Sequence, residues 1–211
     1  MNSSKQRRTA RNSPKQARSK VTVETILDGA IRVFDQAKSG AVTTSQIAEA
    51  AGVSVGTLYQ YFGDRDDILD ALQEREFDRA STMLAQKLSP TAFSSPRELA
   101  HAIVSGLLEL YRAAPGLHRL LAIDGLRVAP TERVQAFDHR LVEMLRSFLE
   151  MTSFEVKRKN RHAAAFVLYH SVRATLLAAL MEGPLGLSDE HLVAEVTDMI
   201  LSHLIEEATS S

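Results

Sequence analysis

From Val23 to Leu204 the large apolar residues return at steps of three and four, and no stretch alternates with period two. That regularity constrains the chain more than any other feature, because it predicts helices throughout and leaves no strand to build a sheet. Val23, Ile26, Leu27, Ala30, Val33 and Phe34 form the first stripe, which predicts an amphipathic helix over 23–38 ended by Lys38-Ser39-Gly40. Further helices are expected over 65–88, 97–114, 117–124, 131–151, 157–182 and 188–206. Pro90, Pro96, Pro115-Gly116 and Gly183-Pro184 punctuate them, and no Asn-Gly or Asp-Gly hairpin signal occurs. The expected fold class is all-α.

Residues 43–62, TTSQIAEAAGVSVGTLYQYF, break the pattern of long helices. Thr43 followed three residues later by Gln46 is a capping box, so a helix begins at Thr44. Gly52 can take the left-handed conformation that ends it. Ser54 is a second N-cap and starts a further short helix over 55–62. Two short helices joined by a glycine-centred turn predict a helix-turn-helix. Its core would be Ile47, Ala51, Val53, Leu58 and Phe62, with Ala48 small enough for a close crossing. On the open face, helix starts at Thr43 and Ser54 offer free N–H groups to phosphate. Gly56 allows close backbone approach. Ser54, Thr57 and Gln60 can reach base edges, and Tyr59 and Tyr61 can reach phosphate oxygens.

Composition matters for what it conceals. The chain has 25 basic and 26 acidic residues, a formal net charge of −1. Yet Lys5, Arg7, Arg8, Arg11, Lys15, Arg18 and Lys20 share residues 1–20 with no acid, so 1–65 carries +5 and 66–211 carries −6. A basic end on an acidic body is the balance of a chain that meets a polyanion at one end. Residues 1–20 read as a disordered basic tail, either simply solvated or an arm on nucleic acid. They lack both the apolar face of a transit peptide and the apolar stretch of a secretory signal. The chain has no cysteine, which excludes disulfides, thiolate zinc sites and a cysteine nucleophile and fits a cytoplasmic location. The apolar region 163–181 is broken by Arg173, and neither half approaches the roughly 18 residues of a membrane span.

The run Val23–Phe34, Thr43-Thr44-Ser45-Gln46-Ile47-Ala48, Ala51-Gly52-Val53-Ser54, Gly56-Thr57-Leu58-Tyr59-Gln60-Tyr61-Phe62 and Asp64-Arg65 together resemble the TetR/AcrR family of bacterial transcriptional regulators. The resemblance is dense over the first third of the chain; beyond it only the helical layout and the stretch Pro184–Leu192 agree. It implies a DNA-binding domain over 21–65, a helical effector-binding and dimerisation domain over 66–211, and a homodimer. It also implies that Thr43, Thr57, Tyr59, Tyr61 and Arg65 meet DNA; Thr44, Ser54, Val55, Gly56 and Gln60 join them from the open face. Two departures stand out. The family's glycine and aromatic after the first helix are replaced by Lys38-Ser39-Gly40, and Gly63-Asp64-Arg65 suggests a looser loop before the next helix.

In the remaining two-thirds, 157–182 is apolar nearly all round, with Ala163, Ala164, Ala165, Ala174, Ala178 and Ala179 permitting close approach. Such a helix is expected to be buried on two sides, and 157–182 with 188–206 is the expected dimer interface. A dimer presents two recognition helices to a palindromic operator. The seven histidines stand singly with no ligand spacing, so no metal is expected, and no phosphate-cradling loop or nucleophile elbow points to a cofactor or an enzyme. A pocket for a small-molecule effector is expected among the later helices, with His101, Tyr111, His118, Arg127, Phe137, Tyr169 and Arg173 as candidate contacts and Arg119 and Asp124 as further polar candidates. The expected function is a ligand-released repressor. An effector-independent or architectural DNA-binding protein, and a small-molecule-binding protein with a vestigial helix-turn-helix, are the alternatives.

Overall fold

The structure, a computed structural model, describes residues 14–36, 42–88, 93–127, 132–182 and 186–205. Among the described residues there are nine helices and no strand, as the spacing requires: α1 (Pro14–Gln36), α2 (Thr44–Ala51), α3 (Val55–Tyr59), α4 (Arg65–Lys87), α5 (Pro96–Ala113), α6 (Pro115–Arg127), α7 (Glu132–Met151), α8 (Arg161–Glu182) and α9 (Asp189–Leu204). The chain divides into two compact units, Met1–Ala71 and Leu72–Ser211, and the division falls inside α4 rather than at its start. Ile68 and Leu69, both buried, belong to the first unit.

Most differences from the expected helices lie at their ends, and each has a local cause. Helix α1 begins at Pro14, so 14–20 is helix and not tail, while residues 1–13 and Lys38-Ser39-Gly40 lie outside the described residues. Proline fits a first helical position, and the following Lys-Gln-Ala-Arg run favours helix without adding apolar periodicity. Pro115 similarly opens α6, which runs past Gly125 to Arg127. Helix α3 stops at Tyr59, so Tyr61 and Phe62 sit in the turn after it. Helix α8 starts at Arg161 instead of 157, because the preceding residues serve as caps. Lys157 N–H donates to the Leu204 carbonyl at 2.9 Å and Arg158 Nε to the His203 carbonyl at 2.9 Å, satisfying the end of α9. Asn160 Oδ1 then accepts the Ala163 N–H at 3.0 Å to open α8.

In the second unit α5 lies along α9, tied by Arg112 to Asp189 and by Arg97 to Asp198, each at 2.7 Å. Helix α8 packs on α5, α6, α7 and α9 through Ala165, Leu168, Val172, Leu176 and Leu180. Its length and composition are those of a membrane-crossing helix despite Arg173, since one charge does not outweigh so many apolar residues. It is not buried on two sides within one chain. Ala163, Phe166, Val167, Ala174, Ala178 and Met181 form a second apolar stripe that is exposed.

Candidate functional site

The helix-turn-helix is assembled by side chains capping their own backbone. Gln46 N–H donates to Thr43 Oγ1 at 3.3 Å and Thr43 N–H to Gln46 Oε1 at 2.9 Å, completing the capping box of α2. At the other end Gly52 has φ 69°, and Gly52 N–H and Val53 N–H donate to the carbonyls of Glu49 and Ala48 at 3.0 Å. These are the paired bonds of a left-handed helix stop. Ser54 Oγ accepts the Thr57 N–H at 3.0 Å and starts α3. Ile47, Ala48, Ala51, Leu58 and Phe62 are buried as expected, but Val53 is only half-buried. The closest crossing is at Gly29 of α1, where a Cβ would come within 2.7 Å of the Ala51 nitrogen. Arg32 fastens the same crossing by donating to the Ala50 carbonyl.

This frame leaves Thr43, Ser54, Val55, Gly56, Tyr59 and Gln60 exposed, with Thr44, Thr57 and Tyr61 half-buried beside them. The hydroxyls of Thr44 and Tyr59 share a hydrogen bond of 3.0 Å, which holds the Tyr59 ring across from the start of α2. Arg65 is half-buried with its guanidinium 5.4 Å from the Phe34 ring centroid. The loop before it is not loose. Asp64 Oδ1 accepts the N–H groups of Asp66 and Asp67 at 2.9 Å, and Asp67 Oδ2 accepts the Gly63 N–H at 2.8 Å. Two acids in reciprocal capping positions do the work of the residues found missing there. The result is a rigid face of hydroxyls, an amide and bare backbone with no acid among the exposed residues of α3, suited to the edge and backbone of a duplex.

The second unit encloses a cavity of about 180 Å³, more than ten times the ~15 Å³ that one water requires. Its wall is mostly Leu, Ile, Phe and Met from α4, α5, α7 and α8, and it includes Tyr111, His118, Phe137, Tyr169 and Arg173 among the expected contacts. Phe137 stacks on Phe77 with ring centroids 3.7 Å apart, and Tyr111 lies 5.0 Å from the His118 ring. His101 does not line the cavity; it is exposed on α5, with Nδ1 3.5 Å from Ser105 Oγ. The side chains of Asp124 and Arg127 lie outside the described residues, and Arg119 is exposed.

Glu76, which is not among the contacts expected from the sequence, is 5% exposed and lines the cavity. Its Oε1 lies 3.0 Å from Arg79 Nη1, and its Oε2 lies 3.6 Å from His118 Nε2. Burial pushes its carboxyl above the usual range, and the nearby Arg79 and Arg75 only partly counter this. Burial likewise raises the phenols of Tyr111 and Tyr169; for Tyr169, its hydrogen bond to Asp138 adds to the effect. These phenols are therefore neutral donors at any physiological pH. No group of acids and histidines that could hold a metal ion occurs among the described residues.

Comparison with known proteins agrees with both parts. Residues 26–72 match the model of the bacterial regulatory proteins of the tetR family, and residues 95–204 match that of the tetracyclin repressor-like C-terminal domain. A helix-turn-helix transcriptional regulator of Mycobacterium tuberculosis is 31% identical over 100 residues, covering 47% of this chain and 48% of that protein, so the match spans about half its length. The nucleoid occlusion factor SlmA of Haemophilus influenzae is 30% identical over 146 residues, 67% of this chain and 63% of its own. Among solved structures, a transcriptional regulator from Rhodococcus sp. Rha1 shares the fold with a TM-score of 0.69 at 19% identity, covering 88% of this chain and 99% of that one. The fatty acid degradation regulator FadR from Bacillus halodurans does so with a TM-score of 0.66 at 21% identity, covering 85% and 94%. With a capped helix-turn-helix at one end and family models matching on both sides of α4, the chain belongs to the TetR family and is a DNA-binding regulator of transcription, not an enzyme.

Proposed function

We propose that the protein is a cytoplasmic, homodimeric repressor that binds a palindromic operator and is released by a small molecule held in the second unit. The observation that carries the reading is the cavity, lined entirely by residues of 73–205 and therefore outside the helix-turn-helix. A continuously packed core would have favoured an effector-independent regulator; an apolar space with a few convergent polar groups is the usual form of a ligand site. The exposed stripe Ala163, Phe166, Val167, Ala174, Ala178 and Met181 supports the dimer, because a contiguous apolar helix face is costly to leave in water. Two-fold symmetry then presents two α3 helices to half-sites about 34 Å, or a multiple of it, apart. The open face expected to meet DNA comprises Thr43, Thr44, Ser54, Val55, Gly56, Thr57, Tyr59, Gln60, Tyr61 and Arg65. Release requires a ligand that binds one arrangement of the dimer better than the DNA-competent one. Helix α4 belongs to both units and lines the cavity through Gln73, Glu76 and Phe77, so it is the segment through which this preference acts.

In vitro transcription from a promoter overlapping the bound sequence tests the reading. Added protein should lower the transcript yield, and Phe166→Glu, which puts charge on the dimer face, should abolish that effect. A rise in transcript with added protein would overturn the repressor reading, and unchanged repression by Phe166→Glu would overturn the α8 interface.

A further inference from the structure

The cavity has two chemically different ends. Its wall follows α5 from Pro96 to Tyr111, about 22 Å at a rise of 1.5 Å per residue. At the Tyr111 end gather Glu76, His118, Tyr169 and Arg173. At the Pro96 end the wall is mostly apolar, with Leu99, Leu149, Phe154, Val156 and Leu204 beside Thr152. An apolar space that extends along a helix with polar groups gathered at one end selects an amphiphile over a compact or uniformly polar molecule.

The sign of the head group follows from which charges are already engaged. Asp138 accepts the Tyr169 hydroxyl, and Glu76 is paired with Arg79 at 3.0 Å and faces His118 at 3.6 Å. Arg173 is different. It lines the cavity close enough to the Tyr111 and Tyr169 hydroxyls to act on both electrostatically, as Asp138 also does, and no ion pair to Arg173 occurs among the described residues. A half-buried guanidinium beside the Tyr111 hydroxyl is a bidentate partner for a carboxylate, while the Tyr169 proton stays in its hydrogen bond to Asp138. We propose that the cavity binds a long-chain carboxylate, its head at Arg173 between Tyr111 and Tyr169 and its alkyl tail along α5 towards Leu99 and Phe154.

This proposal rests on the reading of the cavity as the effector site, and the two can fail separately. Calorimetric titration of the delipidated full-length protein with octanoate, laurate and palmitate, each below its micelle concentration, gives the chain-length dependence. Laurate should bind, and dodecanol and dodecyltrimethylammonium should each bind about tenfold more weakly or worse, the range for loss of one charge-assisted contact. Arg173→Gln should bring laurate down to the affinity of dodecanol. Leu99→Phe, at the far end with the head contact intact, should move the preference towards octanoate. No binding of any carboxylate, or equal affinity for laurate and its cationic counterpart, would overturn the ligand class. A carboxylate that binds as described but leaves DNA affinity unchanged would keep the ligand class and remove the ligand-released reading.

Discussion

Glu76 sits four residues from Leu72 and four from Ala80, inside the stripe that α4 buries. An acid in that register carries a cost that depends on pH. Its folded-state carboxyl holds its proton more tightly than an exposed glutamate, mainly through desolvation. The associated stability is therefore fully present below the ordinary carboxylate range and is lost as pH rises through the folded-state value. Glu76→Gln should melt close to wild type near about pH 4 and above it near about pH 8, with the gap widening in between. Thermal melts across that range check it, and a gap that closes or inverts as pH rises would contradict it. The register of Glu76 was legible in the sequence, because a polar residue midway between two buried apolar ones on a helix faces the same way. His101 is the converse. It shares α5 with Tyr111, but ten residues turn a helix by about 1000°, which leaves the two side chains some 80° apart. Tyr111 reaches the cavity and His101 does not.

At the scale of elements, what could be read in advance was whatever local chemistry decides. The capping box at Thr43, the left-handed Gly52 and the cap at Ser54 lie where their residue types put them, since each is settled by neighbours within four positions. Features that depend on a partner element were not legible. Gly29 looks like a weak point in an amphipathic helix, and only the approach of Ala51 shows why it is there. The start of α8 depends on Lys157 and Arg158 being used at the end of α9, which no local pattern announces. The two glycines give a paired prediction. Gly52→Ala meets nothing within 4 Å and suffers only from its φ of 69°, so it should cost about 1 kcal/mol. Gly29→Ala must push the Ala51 backbone away and should cost about 1–3 kcal/mol, at or above Gly52→Ala. Urea unfolding of both variants measures the order, and a harmless Gly29→Ala would mean that α1 and α2 do not cross so closely.

For the whole molecule, the sequence held the outline of a regulator: an all-α chain, a helix-turn-helix and a charge split of +5 against −6 under a net −1. The split predicts that the duplex meets the first 65 residues and is repelled by the rest. Which side chains converge on a cavity was legible only in part, because that depends on six helices packing at once. The exposed stripe of α8 was legible in outline, for a helix apolar all round calls for two covering surfaces, and which of its faces the chain itself covers depends on the packing of α5, α6, α7 and α9.

In the proposed function the face of α2 and α3 reads DNA as half of a symmetric pair. Enrichment of bound duplexes from a random pool, followed by affinity measurements across salt concentrations, tests it most directly. A palindromic site should emerge. Tyr59→Phe should weaken binding to it, and Arg65→Ala should lower the slope of log affinity against log salt by about 1. No enriched palindrome, or wild-type affinity and slope in both variants, would contradict it.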